Sequence, residues 1–320
     1  MPNFRDAHVL VTGATGFIGA HLTQRLLAEG ARVSAFRRAH STPLQELPTL
    51  RDVETVDWHE ADLRTYGAVS RVVRAIRPDI VFHLASAGGT DPFLPTDTAI
   101  RNNVDGTIHL LRALEGRAHV IVARTPGERD AMNVYAASKA AAWAFCQMYQ
   151  RTQGWPIVGV MPFHTYGPGQ SAKALIPSAI ASALRGDNFP MTHGAQLRDW
   201  TYVDDVVDAF IRVAGWRLSS TPPNGDTRGA SQRFGDDTIE IGTGRATSVR
   251  EVVECVFQIA GGSGKPLVGT LPARPGEAQR QVADADRTEH LIGWRAQVSL
   301  ETGLRETIKW TREWLCQTAS

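Results

Sequence analysis

Val9-Leu10-Val11-Thr12-Gly13-Ala14-Thr15-Gly16-Phe17-Ile18-Gly19 is the stretch from which the fold can be read. The apolar run from His8 to Val11 predicts a buried parallel strand. It breaks into a glycine-rich turn, and apolar residues at helical spacing follow (Ile18, Leu22, Leu26, Leu27). Strand, glycine turn and helix in that order make a pyrophosphate cradle. Gly13 permits the tight turn, Gly16 lets backbone approach a phosphate, and Gly19 lets the helix pack on the strand. Thr15, Phe17 and Ile18 belong to the same turn and are taken with it as cofactor-binding. The helix N-terminus then offers free N–H groups and a positive dipole end to an anion.

The rest of the chain sets wide bounds. Its 320 residues suffice for one large or two modest domains, and 42% apolar with 21% charged residues is ordinary for a globular protein. A net charge of +1 gives no general pull toward nucleic acid or membrane. No stretch approaches the roughly 18 uninterrupted apolar residues of a membrane span. Met1 to Asp6 lacks the apolar core of a signal peptide, so a cytoplasmic location is expected. Cys146, Cys255 and Cys316 form neither a disulfide framework nor a metal spacing.

Outward from the first turn, strand and helix patterns alternate. The second strand, Arg32 to Phe36, runs into Arg37 and Arg38. An acidic residue at this strand end would accept hydrogen bonds from the ribose hydroxyls of NAD. Two arginines instead suit the dianionic 2′-phosphate of NADP, so NADP(H) is favoured over NAD(H), with a solvated basic turn as the bland reading. A third strand ends near Val56, before Asp62-Leu63, where the carboxylate reaches adenine or caps a helix over 67–76. The very apolar run Asp79 to Ser86 ends in Ala87-Gly88-Gly89-Thr90, where small residues leave room for a cofactor. His83 reads as a hydrogen-bonded core histidine. A long helix from Thr96 to about Leu114 and a fifth strand, His119 to Ala123, continue a doubly wound parallel sheet.

Tyr135-Ala136-Ala137-Ser138-Lys139 places a phenol and an ammonium on one face of a helix beginning near Asn133. A free tyrosine has a pKa of about 10, and a neighbouring ammonium favours its phenolate. Lysine also suits a nicotinamide ribose. Thr125, at the end of the preceding strand, is placed to donate a hydrogen bond to the same substrate oxygen. The catalytic candidates are therefore Thr125, Tyr135 and Lys139.

With these residues in view the chain resembles the extended short-chain dehydrogenase/reductase superfamily, its nucleotide-sugar branch in particular. The matching segments are Thr12 to Gly19, Asp62-Leu63, His83-Leu84-Ala85, Asn103 to Thr107, Tyr135 to Lys139, Tyr166 to Gly169, Arg198 to Val206 and Arg274 to Glu277. They cover nearly the whole chain. The resemblance implies an α/β fold, a Rossmann-type doubly wound parallel sheet with a smaller C-terminal α/β substrate domain. Residues 1–165 would bind the dinucleotide, with strand and helix contributions from about 195–215 and 238–243, and 166–320 would mostly bind the sugar nucleotide. It also implies cofactor contacts from Leu63, Leu84, Ala85, Ser86, Asn103, Pro162 and His164, and substrate contacts from Ala87, Thr90, His164, Leu175, Ile176, Arg198 and Arg274. Asp204 and Asp205 read as caps of a helix from Val206. Trp294 and a helix over 300–315 are expected to close the small domain. A homodimer through helices near 98–114 and 136–150 is implied by the same resemblance.

Three departures narrow the branch. Pro126 and Gly127 stand where dehydratases of this family carry an Asp-Glu pair, the segment from Thr125 to Tyr135 is shorter than in its epimerases, and His164 replaces an asparagine. The last two features look like the CDP-abequose/CDP-paratose synthase type. The function expected is NADPH-dependent reduction of the 4-keto group of a nucleotide-linked 4-keto-6-deoxyhexose. A 4-epimerase and a non-catalytic dinucleotide-binding protein are the alternatives.

Overall fold

Each apolar run of the N-terminal half becomes a strand of one sheet in the computed structural model, which describes residues 4–5, 7–39, 53–89, 91, 93–218, 238–273 and 276–318. The chain runs β1 (His8–Thr12), α1 (Phe17–Ala28), β2 (Arg32–Arg37), β3 (Asp57–Glu60), α2 (Tyr66–Ile76), β4 (Ile80–His83), α3 (Thr96–Ala99), α4 (Gly106–Leu114), β5 (His119–Ala123), α5 (Val134–Gln153) and β6 (Ile157–Pro162). It continues through β7 (His164–Tyr166), α6 (Leu175–Arg185), β8 (Phe189–Met191), β9 (Leu197–Arg198), β10 (Trp200–Tyr202), α7 (Val203–Leu218) and β11 (Thr238–Ile241). The last elements are β12 (Thr247–Ser248), α8 (Val249–Ala260), β13 (Pro266–Val268), β14 (Arg280–Gln281), α9 (Ala285–Ile292) and α10 (Leu300–Thr318).

The main sheet has the order β11-β6-β5-β4-β1-β2-β3, and every pairing from β3 across to β6 is parallel. Burial on both faces explains the continuous apolar runs: Val9, Leu10, Val11, Ile80, Val81 and Phe82 are wholly buried. Strand order reverses between β1 and β4. In such sheets the crevice beyond the carboxyl ends of those two strands is where ligands bind.

Contacts divide the chain into two units, Met1–Pro162 with Val207–Glu240 and Arg287–Trp294, and Phe163–Val206 with Ile241–Asp286 and Arg295–Ser320. The second unit carries three small sheets, of which β12-β9-β14 has three strands. The strands within 195–215 therefore pair there, and only the helical part of that stretch, from Val207, joins the first unit. Trp294, expected in the small domain, is buried in the first unit instead.

Local readings differ from the structure at three places, and a fourth lies outside the described residues. The third strand lies at Asp57–Glu60, because Val53–Thr55 forms a 3-10 turn before it. The helix read as continuous from Thr96 to Leu114 carries a π-helical segment at Ile100–Asp105, a distortion found at functional sites. α7 begins at Val203, and the Asp205 carboxylate accepts from the Gln297 and Val298 amides, so it tethers a distant loop of its unit and does not cap the helix. The turn-rich stretch read at 218–237 lies, beyond Leu218, outside the described residues.

By contrast, Ser248 caps α8 in a reciprocal pair with Glu251, as its spacing predicts. Ile100, Phe145 and Met148 are exposed on the helices expected to pair between subunits. Among the described residues no helix is long and apolar enough to cross a membrane, and no group of three or more His, Cys, Asp or Glu is placed to hold a metal ion.

Candidate active site

The glycine turn is built for an anion. Gly13 has φ +78°, and a Cβ there would lie 2.7 Å from the Ala85 amide nitrogen, so the turn after β1 is pressed against the end of β4. A Cβ on Gly19 would strike the Gly13 carbonyl oxygen, which is how α1 closes on the turn. Gly16 enters α1 with extended backbone and no side-chain cap. The first-turn amides of α1 thus meet a surface without side chains, and these residues fit the pyrophosphate of a dinucleotide. Thr15, Phe17 and Ile18 stay partly accessible around it.

Arg37 and Arg38 stand at the carboxyl end of β2, half-buried and exposed respectively, and the Arg37 carbonyl accepts from Ala61 N at 3.0 Å. Asp62 is not the free carboxylate expected beside an adenine. Arg64 holds it from its backbone amide at 2.9 Å and its guanidinium at 2.6 Å, and this partner lowers the Asp62 pKa. Nor does Asp62 cap α2, whose N-cap is Thr65. Leu63 packs beside Gly106, and its carbonyl accepts from His109 at 2.8 Å.

His83 ties the strand ends together, with Nδ1 2.7 Å from the Thr12 hydroxyl and Nε2 2.9 Å from that of Thr107. Leu84 N donates to the Thr12 carbonyl at 3.1 Å, which extends the same join. Burial pushes the His83 pKa down to about 3, with the Lys139 charge a smaller cause. A histidine whose folded pKa lies below its unfolded value of 6.5 contributes stability that is present above that value and lost as pH falls toward the folded one. Between roughly pH 6 and 4, urea denaturation should therefore show His83 alone costing about 1.4 kcal/mol per pH unit. If His83→Gln keeps the full acid sensitivity of the parent, the histidine is not buried neutral.

α5 supplies the phenol and the amine. Its N-cap, Asn133, accepts from Ala136 N at 2.8 Å, and this fixes the helix start so that Tyr135 and Lys139 share a face one turn apart. Lys139 is 4% exposed. Burial lowers its pKa, opposed first by the Glu128 carboxylate. Tyr135 behaves against expectation. Burial raises its pKa, the neighbouring Ser86 hydroxyl lowers it, and Glu128 raises it again. The Lys139 charge, expected to draw the phenol down, is not among the causes.

Asn103 also takes another role than the one expected. Its amide accepts from Ala87 N at 2.7 Å and donates to Ala87 O at 3.0 Å and to Ser138 Oγ at 2.8 Å. With its oxygen accepting one bond and both protons engaged, it braces the loop after β4 against α5. Gly89, in that loop, lies beside the phenol: a Cβ there would be 4.0 Å from Tyr135 Oη.

Thr125 starts a 3-10 turn, Pro126–Arg129, that packs on the first turn of α5, where a Cβ on Gly127 would lie 3.3 Å from that of Ala136. The Glu128 carboxylate accepts from Thr125 N at 2.8 Å and from Arg124 Nε at 2.8 Å. Arg124 lies over the Trp143 ring at 4.5 Å and donates to the Thr238 hydroxyl. Pro162, at the end of β6, is half-buried.

In the second unit, His164 sits on β7, its ring 5.3 Å from that of Trp200. Its Nδ1 is buried with no hydrogen-bond partner among the described residues. Burial, then the Arg198 charge, pushes its pKa down to about 3. Arg198 is 3% exposed and donates to Glu277 at 3.0 Å. Leu175 is half-buried at the start of α6, whereas Ile176 is packed wholly into the core and offers a ligand no surface. Thr90 and Arg274 lie outside the described residues.

Comparison with known proteins places this arrangement. The model of the NAD dependent epimerase/dehydratase family matches residues 9–223, more than half of the chain. The chain belongs to that family. It is thereby an enzyme of the extended short-chain dehydrogenase/reductase type, dependent on NAD(P). A UDP-glucose 4-epimerase of Mycolicibacterium smegmatis is 29% identical over 329 residues, which span 95% of this chain and 98% of that protein. A dTDP-glucose 4,6-dehydratase of Shigella flexneri is 26% identical over 341 residues, with 94% and 92% covered. Among solved structures, MoeE5 in complex with UDP-glucose and NAD superposes with a TM-score of 0.77 at 30% identity, over 96% of this chain and 99% of that one.

Sequence reasoning passed over the pairing of Arg124 with Glu128. Arg124 and Glu128 stand at i and i+4, a spacing that on its own signals only a local ion pair. Gly89, read from sequence only as a small residue leaving room for a cofactor, proves to lie beside the Tyr135 phenol.

Proposed function

We propose that the protein reduces the 4-keto group of a nucleotide-linked 4-keto-6-deoxyhexose with NADPH. The arrangement that carries this reading is the Tyr135 phenol at the start of α5, beside the Ser86 hydroxyl and the loop at Gly89, one helical turn before the buried Lys139. A ketone reductase needs a proton donor, and a reduced nicotinamide brings no positive charge to ionise the phenol. A bound reduced dinucleotide supplies the hydride. Tyr135 gives its proton to the carbonyl oxygen, Thr125 donates a hydrogen bond to that oxygen, and Lys139 holds the ribose. Glu128, with both carboxylate oxygens engaged by Arg124 and Thr125, is unsuited to removing a substrate proton, which argues against 4,6-dehydration.

Arg37 and Arg38 support NADPH over NADH. Arg37→Asp is expected to weaken NADPH selectivity by about tenfold or more, since it replaces a 2′-phosphate partner by a repelling charge. Steady-state rates with each cofactor read this, and an unaltered preference would remove the two arginines from cofactor selection.

The second reading is a nucleotide-sugar 4-epimerase acting by transient oxidation at C4, favoured by the Mycolicibacterium relative and by the NAD in the MoeE5 complex. One assay separates the two. Purified protein is mixed with a nucleotide-linked 4-keto-6-deoxyhexose and NADPH while the reduced cofactor is followed by absorbance. Stoichiometric loss supports the reductase. Interconversion of 4-epimers without loss supports the epimerase, and neither outcome removes both.

A further inference from the structure

The least expected feature of the first unit is a charged group buried under the catalytic helix. The Glu128 side chain is 1% exposed and its partner Arg124 10%. Burying such a pair removes both ions from water, and apolar residues of like volume commonly serve stability as well or better. The structural task of Glu128, accepting the Thr125 amide, needs an acceptor at that place and not a charge. A neutral glutamine would supply one.

The surroundings show what the charge addresses. The Arg124 guanidinium is held from three sides, by Glu128 at 2.8 Å, by the Trp143 ring at 4.5 Å and by the Thr238 hydroxyl, so the carboxylate has one orientation. One carboxylate oxygen fixes the backbone of Thr125, the proposed carbonyl ligand. The ionisable groups around Lys139 are Glu128, Arg124 just after β5, the Cys146 thiol within α5, which burial keeps neutral, and His83 of β4. Those around Tyr135 are Glu128 and the uncharged Ser86.

We propose that Glu128 is a positioning residue for the reaction: clamped by Arg124, its buried carboxylate fixes Thr125 at the end of β5 and supplies the negative charge beneath Tyr135 and Lys139. The inference rests on the reductive reading above, in which Tyr135 must hold its proton until the ketone takes it. A fixed negative charge near a phenol favours the protonated form, and near an ammonium the charged form. Glu128 thereby serves both residues with one group.

The test is the pH dependence of kcat in Glu128→Gln, which keeps an acceptor for Thr125 N and removes the charge. Reduction fails as pH rises through the pKa of Tyr135. Without the carboxylate that pKa falls, so the failing limb should move to lower pH by about one unit. The same change withdraws the charge that favours the Lys139 ammonium, so kcat at neutral pH should drop about tenfold with KM for the nucleotide sugar little changed. Glu128→Asp should lower kcat through the lost reach to Thr125 while leaving the limb where the parent has it.

Glutamine removes the carboxylate that Arg124 pairs with, so the double variant Arg124→Gln with Glu128→Gln serves where the single one does not fold, and it should shift the limb in the same direction. A parental limb in a folded charge-free variant overturns the proposal. The 13Cζ resonance of labelled Tyr135, assigned against Tyr135→Phe, reports the same ionisation without turnover. A chain that fails to oxidise NADPH but shifts that resonance between parent and variant thus removes the functional reading and keeps this one.

Discussion

Tyr135→Phe is expected to slow NADPH oxidation by about a hundredfold to ten-thousandfold, the range for losing a positioned general acid. The substitution removes one oxygen and keeps the ring, so the packing at the start of α5 and the Asn133 cap survive. Dinucleotide affinity should be retained, because the cradle at Gly13, Gly16 and Gly19 is untouched. Its neighbours cannot stand in for the phenol. Ser86 has a hydroxyl far less acidic than a phenol, and Lys139, four residues on, is buried with its pKa lowered by that burial. Equilibrium binding of NADPH followed by fluorescence, together with single-turnover rates, separates the two quantities. A variant that turns over within a factor of about ten of the parent would mean that another group delivers the proton.

How far this site was legible follows from what kind of interaction defines each residue. The glycine turn, the Asn133 cap, the Ser248 cap and the apolar strands are local: a few neighbouring residues dictate each, and the sequence shows all of them at once. His83 was legible for a related reason, since a polar residue inside an apolar parallel strand must find partners within the sheet.

Other residues are engaged by partners that their place in the sequence does not announce. Asp62 looks free until Arg64 folds back on it, Asn103 looks like a ligand until Ala87 and Ser138 claim its amide, and Asp205 looks like a cap until the loop at Gln297 arrives. Tyr135 differs in another way. Helical spacing correctly puts an ammonium on the same face, but spacing carries no information on burial, and burial sets the sign of the shift.

Asp199 is the strongest case of a residue whose importance only the fold reveals, and Asp199→Ala should be the most destabilising substitution in the second unit. The side chain is fully buried between β9 and β10. Oδ1 accepts from the Thr243 amide at 2.8 Å and the Thr243 hydroxyl at 2.7 Å. Oδ2 accepts from Gly244 N at 2.9 Å and Ala283 N at 3.2 Å. A Cβ on Gly242 would strike that same oxygen, so the loop between β11 and β12 is moulded around the carboxylate.

Alanine would leave three amides and a hydroxyl facing a cavity, at about 3–5 kcal/mol in urea denaturation. Asparagine separates charge from shape. Its NH2 must face donors on one side, so it should lose about 1–3 kcal/mol, less than alanine because it still fills the space. The next residue back, Arg198, is held through the strand that Asp199 terminates, so the asparagine variant should also bind nucleotide diphosphates more weakly while keeping NADPH affinity. An alanine variant as stable as the asparagine one would show that water enters and serves the orphaned amides, and that the loop does not depend on this carboxylate.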